Sequence, residues 1–197
     1  LSAERLRKTL WKWRKADAFV AISEAAAAQP RSAGLPVTLI HSAVVRRPID
    51  LQHAQRFAEQ YALRGKRLVA TAAALTSEKD PCTLVRAVDI LRRTRDDCLF
   101  LHLGADGDAG AQARQLVSEL SLEAHYVFAG FQDRVEDLYR LMDVFVLSSR
   151  EEALGSSVLD AFLYSVPVVA TDAGGLPELL AGGRGLQCKV GDAQGLA

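Results

Sequence analysis

The sequence predicts an α/β protein: a Rossmann-like open parallel β-sheet with helices on both faces. From residue 67 onward, short and continuously apolar runs alternate with helical segments. Continuous apolar runs are typical of parallel strands buried on both faces, and their alternation with helices at this length indicates βαβ units. Ligands of such sheets bind beyond the carboxyl ends of the strands, so we expect functional residues in the loops that follow them.

The chain begins with a basic segment, residues 5–15, whose sequence RLRKTLWKWRK carries six Lys and Arg side chains. Leu6, Leu10 and Trp13 follow the spacing i, i+4, i+7, which predicts a helix with one apolar stripe. We expect this stripe to pack on the protein itself. A basic helix with tryptophan also suits a membrane surface, so peripheral membrane contact through residues 5–15 is the alternative.

The elements that follow this segment are short. The runs AFVAISE at 18–24 and VTLIHSAV at 37–44 predict two strands, and prolines, Pro30 among them, punctuate the chain around them. The sequence LQHAQRFAEQYAL at 51–63 then predicts a helix with its apolar positions on one side.

In the regular region the predicted strands and helices alternate along the chain. The predicted strands are RLVATAAAL at 67–75, CLFLHLG at 98–104, HYVFAG at 125–130, VFVLSS at 144–149 and PVVAT at 167–171. The predicted helices are PCTLVRAVDILRRT at 81–94, GAQARQLVSELS at 110–121, RVEDLYRLM at 134–142 and SSVLDAFLYS at 156–165.

The composition is that of an ordinary soluble globular protein, with 49% apolar residues, 24% charged residues and a formal net charge of zero. Nothing in this balance indicates a nucleic-acid partner. The three cysteines, Cys82, Cys98 and Cys188, lack a Cys-x-x-Cys spacing, which indicates reduced thiols in a cytoplasmic protein without a metal site. No apolar run approaches the ~20 residues needed to span a bilayer.

Both ends of the chain indicate a fragment of a longer protein. The chain starts at Leu1 without a signal-peptide pattern, and its last residues, GDAQGLA, show neither a cap nor a closing helix.

The loop after the VFVLSS run is the most informative one. Gly155, Ser156 and Ser157 open a helix, and a helix N-terminus with glycine and hydroxyl residues suits a phosphate group. Ser156 and Ser157 lie four and three residues before Asp160, so the three share a helix face. Asp160 is then placed either to accept hydrogen bonds from ribose hydroxyls or simply to face water; the spacing leaves both open.

Other loops add candidates of the same kind. Lys79 could reach an anionic ligand, although a single lysine is more often plain surface. Glu152 is either a solvated acid or a charge favoured by the helix dipole. The Gly130–Phe131 pair could lie against a flat base, and Gly174 with Gly175 permits close backbone approach at another helix start. The glycines of LHLGADGDAG do not follow Gly-x-Gly-x-x-Gly, so a dinucleotide fingerprint is not met.

Several of these motifs together resemble one enzyme family. The segment Glu152-Ala153-Leu154-Gly155 with Asp160-Ala161, followed by SVPVVATDAGGLPELL, is similar to the E-G-F-G-x4-E-A and G-x-P-V-V-A-T-x-x-G-G-x-x-E patterns of the group 1 (family 4) retaining glycosyltransferases of the GT-B fold. ADAFVAISE, LIHSAV, SEKDPCTLVRAV and VFAGFQD also stand where the family has related motifs. The resemblance runs from about residue 16 to 186.

The resemblance implies the C-terminal half of a GT-B fold. Residues 1–48 would be the last elements of the N-terminal domain with the linker, and 49–197 the nucleotide-sugar-binding domain. Glu152 would contact the donor sugar, Asp160 the ribose, and Lys79 the diphosphate, so that Glu152 and Lys79 form the catalytic set. The donor-binding residues implied are Lys79, Gly130, Phe131, Leu154, Gly155, Ser156, Ser157, Asp160, Gly174, Gly175 and Glu178. The nucleotide sugar enters as substrate, and neither a cofactor nor a metal is implied.

Three positions depart from the family pattern. Asp160 is one methylene shorter than the family's second glutamate, so its ribose contact is longer or mediated by water. Ala73-Ala74-Leu75 stands where the family has Gly-Arg-Leu, which removes one arginine of the diphosphate site. Ser42-Ala43 replaces Asn-Gly in the linker.

We therefore expect the donor-binding part of a retaining glycosyltransferase whose glycan, lipid or small-molecule acceptor binds in the absent N-terminal domain. The fragment alone should bind nucleotide weakly and transfer nothing. One alternative is a nucleotide-sugar 2-epimerase, built on the same two-domain fold. Another is a non-catalytic nucleotide-binding module, which the lost arginine and the shortened acid favour.

Overall fold

The computed structural model describes residues 3–13 and 15–197, with the side chains of the first helix described from Lys8 onward. The strands are β1 Val20–Ala21, β2 Thr38–Leu39, β3 Arg67–Ala72, β4 Cys98–Leu103, β5 Tyr126–Gly130, β6 Val144–Leu147, β7 Val168–Thr171 and β8 Leu186–Cys188. The α-helices are α1 Ala3–Trp13, α2 Glu24–Ser32, α3 Leu51–Gln60, α4 Pro81–Leu91, α5 Gly110–Glu119, α6 Val135–Leu138, α7 Ser156–Leu163, α8 Leu176–Leu180 and α9 Ala193–Leu196.

The main sheet has six parallel strands in the order β5-β4-β3-β6-β7-β8. The chain builds outward from β3 through β4 to β5, then crosses back to place β6 on the other side of β3. Counted from β3, this is the 3-2-1-4-5-6 order of the doubly wound fold. The fold class is confirmed, and the order reverses between β3 and β6, where a crevice opens at the carboxyl ends.

Hydrophobic residues cover both faces of this sheet. Along β4, Leu99, Leu101 and Leu103 belong to the core cluster on one face, whereas Phe100 belongs to the cluster on the other. The first cluster packs the sheet against α3, α6, α7 and α8, and the second against α4, α5 and α9. Burial on both faces explains why these strands read as continuous apolar runs rather than alternating ones.

The region before residue 51 differs from the prediction. The two strands there are only two residues each and pair in parallel with one another. Between them lies α2, which begins after the N-cap Ser23 and contains Pro30, two positions before its last residue, Ser32. Pro30 does not interrupt the chain as predicted, because a proline this near the helix end forfeits one hydrogen bond and leaves the first turns intact.

The C-terminal region also differs in detail. Residues 193–196 form α9, whose N-cap Asp192 accepts a hydrogen bond from the Gly195 N–H, so the expectation of no cap and no closing helix was wrong. Strand β8 was not predicted, because its three residues sit at the sheet edge. The predicted helix 134–142 is shorter, ending as α6 and continuing as one 3₁₀ turn, Tyr139–Leu141.

The helix predicted for the basic N-terminal segment is confirmed up to Trp13, since α1 spans Ala3–Trp13. Leu10 and Trp13 are half-buried, and the Trp13 ring meets Phe19 edge-on at 6.0 Å between centroids. Trp11 remains 61% exposed, with the Lys15 ammonium 3.7 Å from its ring centroid. Leu6 lies outside the described side chains. Within the described residues, no helix has the length and apolar character to cross a membrane. The division into domains at residue 48 stays a prediction.

Candidate functional site

The crevice between β3 and β6 brings together two of the predicted residues. Lys79 lies in the loop after β3 and Glu152 in the loop after β6, and the Lys79 Nζ stands 2.6 Å from the Glu152 Oε2. Both side chains are largely buried, with 23% and 12% exposed. Ser149 Oγ donates to the same carboxylate oxygen at 3.0 Å. The protein itself therefore supplies partners for both charges of the pair.

Hydrogen bonds to backbone carbonyls and one ion pair connect the loop after β3 with the loop after β6. Ser148 Oγ is 2.7 Å from the Lys79 carbonyl oxygen. The Arg150 N–H donates to the Glu78 carbonyl at 2.7 Å. Asp80, which caps α4, pairs with the Arg150 guanidinium at 2.8 Å. Because these bonds hold residues 78–80 on both sides of Lys79, the backbone that carries the Lys79 side chain has a defined position at the crevice.

Helix α7 begins beside this pair. Leu154 is buried, Gly155 occupies the N-cap position, and no side chain caps the helix there. The first N–H groups of an α-helix have no intrahelical partner, so those of Ser156 and Ser157 are available to an anion. The arrangement matches the predicted phosphate cradle in position, although its ligand remains a prediction.

The loop before α8 packs directly on the loop that carries Glu152. Gly174 has φ +50°, and a Cβ built on it would stand 1.7 Å from the Glu152 carbonyl oxygen. The Gly175 N–H donates to that same oxygen at 3.0 Å. Only glycine fits at 174, and the backbone that approaches it belongs to the site itself.

Glu178, predicted to line the donor cleft, is engaged elsewhere. Its two carboxylate oxygens accept the backbone N–H groups of Glu24 and Ala25, each at 2.8 Å. These are the first residues of α2, so Glu178 joins α8 to the N-terminal region. Contact of this carboxylate with a donor stays a prediction.

Asp160 lines a cavity of about 440 Å³. Glu136, Arg47, Tyr139 and Tyr164 are among the other side chains that line it. Burial raises the pKa of the Asp160 carboxyl, the Glu136 charge adds to the rise, and the Arg47 charge opposes it. Within the described residues this carboxylate has no hydrogen-bond or ion-pair partner, so it is free to accept hydroxyl groups.

A second cavity of about 330 Å³ lies beyond the ends of β3, β4 and β5. Phe131 lines it and is 69% exposed, which leaves its ring face open to a flat partner. Gly130 lies at the end of β5 beside it. Val135 lines both this cavity and that of Asp160, so the two are neighbours.

The place where the family pattern has an arginine, Ala74 in this chain, has no charged side chain around it among the described residues. Ala73 and Ala74 line the 330 Å³ cavity, and the residues described around it carry no charged side chain. The site therefore offers an anion Lys79 and the α7 amides, without a second cation at this place.

The loop after β4 contains an Asp-Gly-Asp sequence, Asp106 to Asp108. Asp106 pairs with the Arg114 guanidinium at 2.8 Å. Asp108 accepts both the backbone N–H and the hydroxyl of Ser77, at 2.8 and 2.5 Å. Among the residues that the structure describes, no cluster of three or more His, Cys, Asp or Glu side chains could hold a metal ion.

Two serines of the site were not predicted from the sequence. Ser149 supports the Glu152 carboxylate, and Ser23 donates to the Ala153 carbonyl from 130 positions away. The pair of serines ending the VFVLSS run was a signal for Ser149, since polar residues at the carboxyl end of a strand face the crevice. No local pattern could have indicated Ser23.

Comparison with known proteins agrees with this fold. A family model described as "Glycosyl transferases group 1" matches residues 54–197. N-acetyl-alpha-D-glucosaminyl L-malate synthase of Bacillus anthracis is 37% identical over 105 residues, which is 53% of this chain and 27% of that protein. Alpha-D-kanosaminyltransferase of Streptomyces kanamyceticus is 27% identical over 195 residues, 91% of this chain and 50% of that protein.

Among solved structures, HepE of Anabaena in complex with UDP and glucose superposes with a TM-score of 0.87. It is 24% identical, and the match covers all of this chain and 56% of that one. At this identity the likeness concerns the fold alone. The chain spans between about a quarter and a half of the length of the two curated relatives named above. The comparisons do not favour a nucleotide-sugar 2-epimerase.

Proposed function

The chain belongs to the glycosyl transferases of group 1, and from this premise we propose that it is the donor-binding part of an enzyme that transfers a sugar from a nucleotide diphosphate, with retention, to an acceptor. The Lys79–Glu152 pair at the strand-order reversal, beside the uncapped start of α7, is the observation that supports this most. A cation and free amides suit a diphosphate, and a carboxylate suits sugar hydroxyls.

The diphosphate would bind between Lys79 and the first amides of α7. In a retaining transfer, negative charge builds on the departing diphosphate while the anomeric carbon acquires oxocarbenium character. A preformed cation and helix N-terminus stabilise that charge without reorganisation, which is the largest contribution a protein site of this kind makes. On binding, the diphosphate takes over Lys79, and Glu152 is released toward the sugar hydroxyls.

The nucleoside would occupy the two neighbouring cavities. Asp160 accepts the ribose hydroxyls directly or through water, and the open ring face of Phe131 with the backbone of Gly130 receives the base. Leu154, Gly174 and Gly175 shape the backbone between these places. Base recognition through backbone atoms and one ring leaves the identity of the base to be measured.

Transfer itself would need more protein than this chain. We expect the 197-residue chain to bind nucleotide weakly and to release no diphosphate from a nucleotide sugar. The chain's short coverage of its relatives supports this, because about half of each lies outside the match. A non-catalytic nucleotide-binding module is the second candidate, favoured by the uncharged surroundings of Ala73 and Ala74.

Calorimetric titration with UDP, GDP, ADP and NAD tests the proposal. Lys79→Met should weaken the preferred diphosphate by roughly tenfold or more, because a charge-assisted hydrogen bond contributes about 1.5–3 kcal/mol. Lys66→Met is the matched control, since Lys66 is exposed just before β3, at the opposite end of the strand. Equal affinity of the two variants would remove the diphosphate assignment, and binding of NAD alone would point to another class of protein.

A further inference from the structure

The N-terminal region reaches the loop that carries Glu152 through one buried hydroxyl. Ser23 is fully buried, although it precedes a helix near the protein surface. Its Oγ accepts the Ala26 N–H at 3.0 Å and donates to the Ala153 carbonyl at 2.5 Å. A serine hydroxyl has one proton, and here that proton is directed at the residue following Glu152.

The same loop is held from its other side by α8. The Gly175 N–H donates to the Glu152 carbonyl at 3.0 Å. Glu178, one turn later, accepts the first two N–H groups of α2 with both carboxylate oxygens. The carboxylate therefore fixes the start of α2, and with it Ser23, against the loop. Two consecutive carbonyls, those of Glu152 and Ala153, are restrained by donors from different parts of the chain.

We propose that Ser23 and Glu178 are positioning residues that fix the backbone at Glu152 and thereby aim its carboxylate at the donor sugar. The Glu152 carbonyl belongs to the peptide bonded to the Glu152 Cα, and the Ala153 carbonyl belongs to the next peptide. Restraining both peptides limits the backbone rotation that would change the direction of the Glu152 side chain. Functional groups need support of this kind to within about 0.5 Å. This inference rests on the proposed function and assigns Glu178 a role through α2 rather than through direct ligand contact.

The alternative is that Ser23 only caps α2. Loss of a cap would then lower stability without a local effect at residues 150–155. Asp50→Ala provides the matched control, because Asp50 caps α3 by accepting the N–H groups of Gln52 and His53 and makes no described hydrogen bond to that loop. Ser23→Thr retains the hydroxyl and should restore wild-type behaviour.

Amide hydrogen exchange of the ligand-free 197-residue chain gives the first readout. In Ser23→Ala, residues 150–155 should exchange roughly five- to tenfold faster, whereas Asp50→Ala should leave them unchanged. Glu178→Gln should give a smaller increase in the same residues, and it provides an independent variant if Ser23→Ala does not fold.

Titration with UDP and with UDP-glucose gives the second readout. The affinity advantage of UDP-glucose over UDP should fall by about tenfold in Ser23→Ala, because displaced reacting groups lose sugar contacts while the diphosphate site persists. Unchanged exchange at 150–155, or equal weakening of both ligands, would overturn the positioning role. If the wild-type chain binds none of UDP, GDP and ADP, the proposed function fails, and hydrogen exchange alone still decides whether Ser23 holds the loop.

Discussion

At the scale of single residues, the site is preassembled around one ion pair. Removing two charges from water is costly unless each is paired and hydrogen-bonded, and Lys79 and Glu152 meet that condition with the help of Ser149. In the proposed reaction, binding of the donor breaks this ion pair. The diphosphate replaces the Glu152 carboxylate as the partner of Lys79, and the sugar hydroxyls replace the Lys79 ammonium as the partners of Glu152. The two residues thus keep their positions in the absence of ligand.

If Asp160 binds the ribose, we expect nucleotide binding to weaken at low pH. Ribose hydroxyls donate to the ionised carboxylate, so affinity is present above the Asp160 pKa and is lost as pH falls through it. Because burial raises that pKa, the loss should begin at a higher pH than for an ordinary aspartate, whose pKa is about 3.9. Dissociation constants of UDP measured between pH 4 and 8 check this.

Asp160→Asn is the control for that measurement. The variant should bind UDP roughly tenfold more weakly at pH 8, consistent with a lost charge-assisted hydrogen bond. The ratio of variant to wild-type constants should approach one as the pH falls, since protonation removes the same charge. Titration of the UDP phosphate affects both proteins equally, so it cancels in this ratio. A ratio that does not change with pH would contradict a carboxylate role for Asp160.

At the scale of elements, the loops after β6 and β7 support each other through backbone contacts. Gly174 is essential to this packing because its Cα faces the Glu152 carbonyl. The β6–α7 loop therefore has its shape only when the β7–α8 loop is present beside it.

Gly174→Ala should disrupt this packing, and Gly182→Ala is its matched control. Both glycines have positive φ, +50° and +71°, but a Cβ at Gly182 meets nothing within 4 Å. Gly182→Ala should cost only the backbone strain of about 1–2 kcal/mol. Gly174→Ala should cost at least about 1 kcal/mol more from overpacking, and should also weaken UDP-glucose binding. Urea unfolding and titration measure both; equal losses of stability would show that the loops are not in tight contact.

At the scale of the whole molecule, both core clusters lie within residues 57–196. The N-terminal strands and α2 contribute Ala21 and Ala27 to the buried residues, yet neither belongs to these clusters. The six-stranded sheet has its complete core without the first 48 residues.

A chain of residues 49–197 should therefore fold cooperatively, with a Tm close to that of the 197-residue chain. The same deletion removes Ser23 and the partners of Glu178, so its residues 150–155 should lose their protection from hydrogen exchange. Calorimetry and exchange on the two chains test both statements. Failure of the shorter chain to fold would contradict the domain boundary at residue 48.

The sequence by itself determined the sheet, the crevice and the local candidates, because buried parallel strands and helix starts leave patterns within a few residues. Its local patterns offered Lys79, Glu152 and the start of α7 as candidates, and the family resemblance assigned their roles, which stay predictions. All three follow strands at the reversal of strand order. The sequence did not determine α2 or β8: a proline within α2 and the shortness of an edge strand weakened the local signals.

Only the tertiary structure decided how the candidates are held. The contacts of Ser23 with Ala153 and of Glu178 with α2 join residues more than 100 positions apart, and hydrogen bonds of that range leave no periodicity or spacing to detect. The packing of Gly174 on Glu152 likewise depends on where two loops meet. Local sequence patterns therefore indicate which loops carry the candidate side chains, whereas contacts between distant parts of the chain determine how those side chains are oriented.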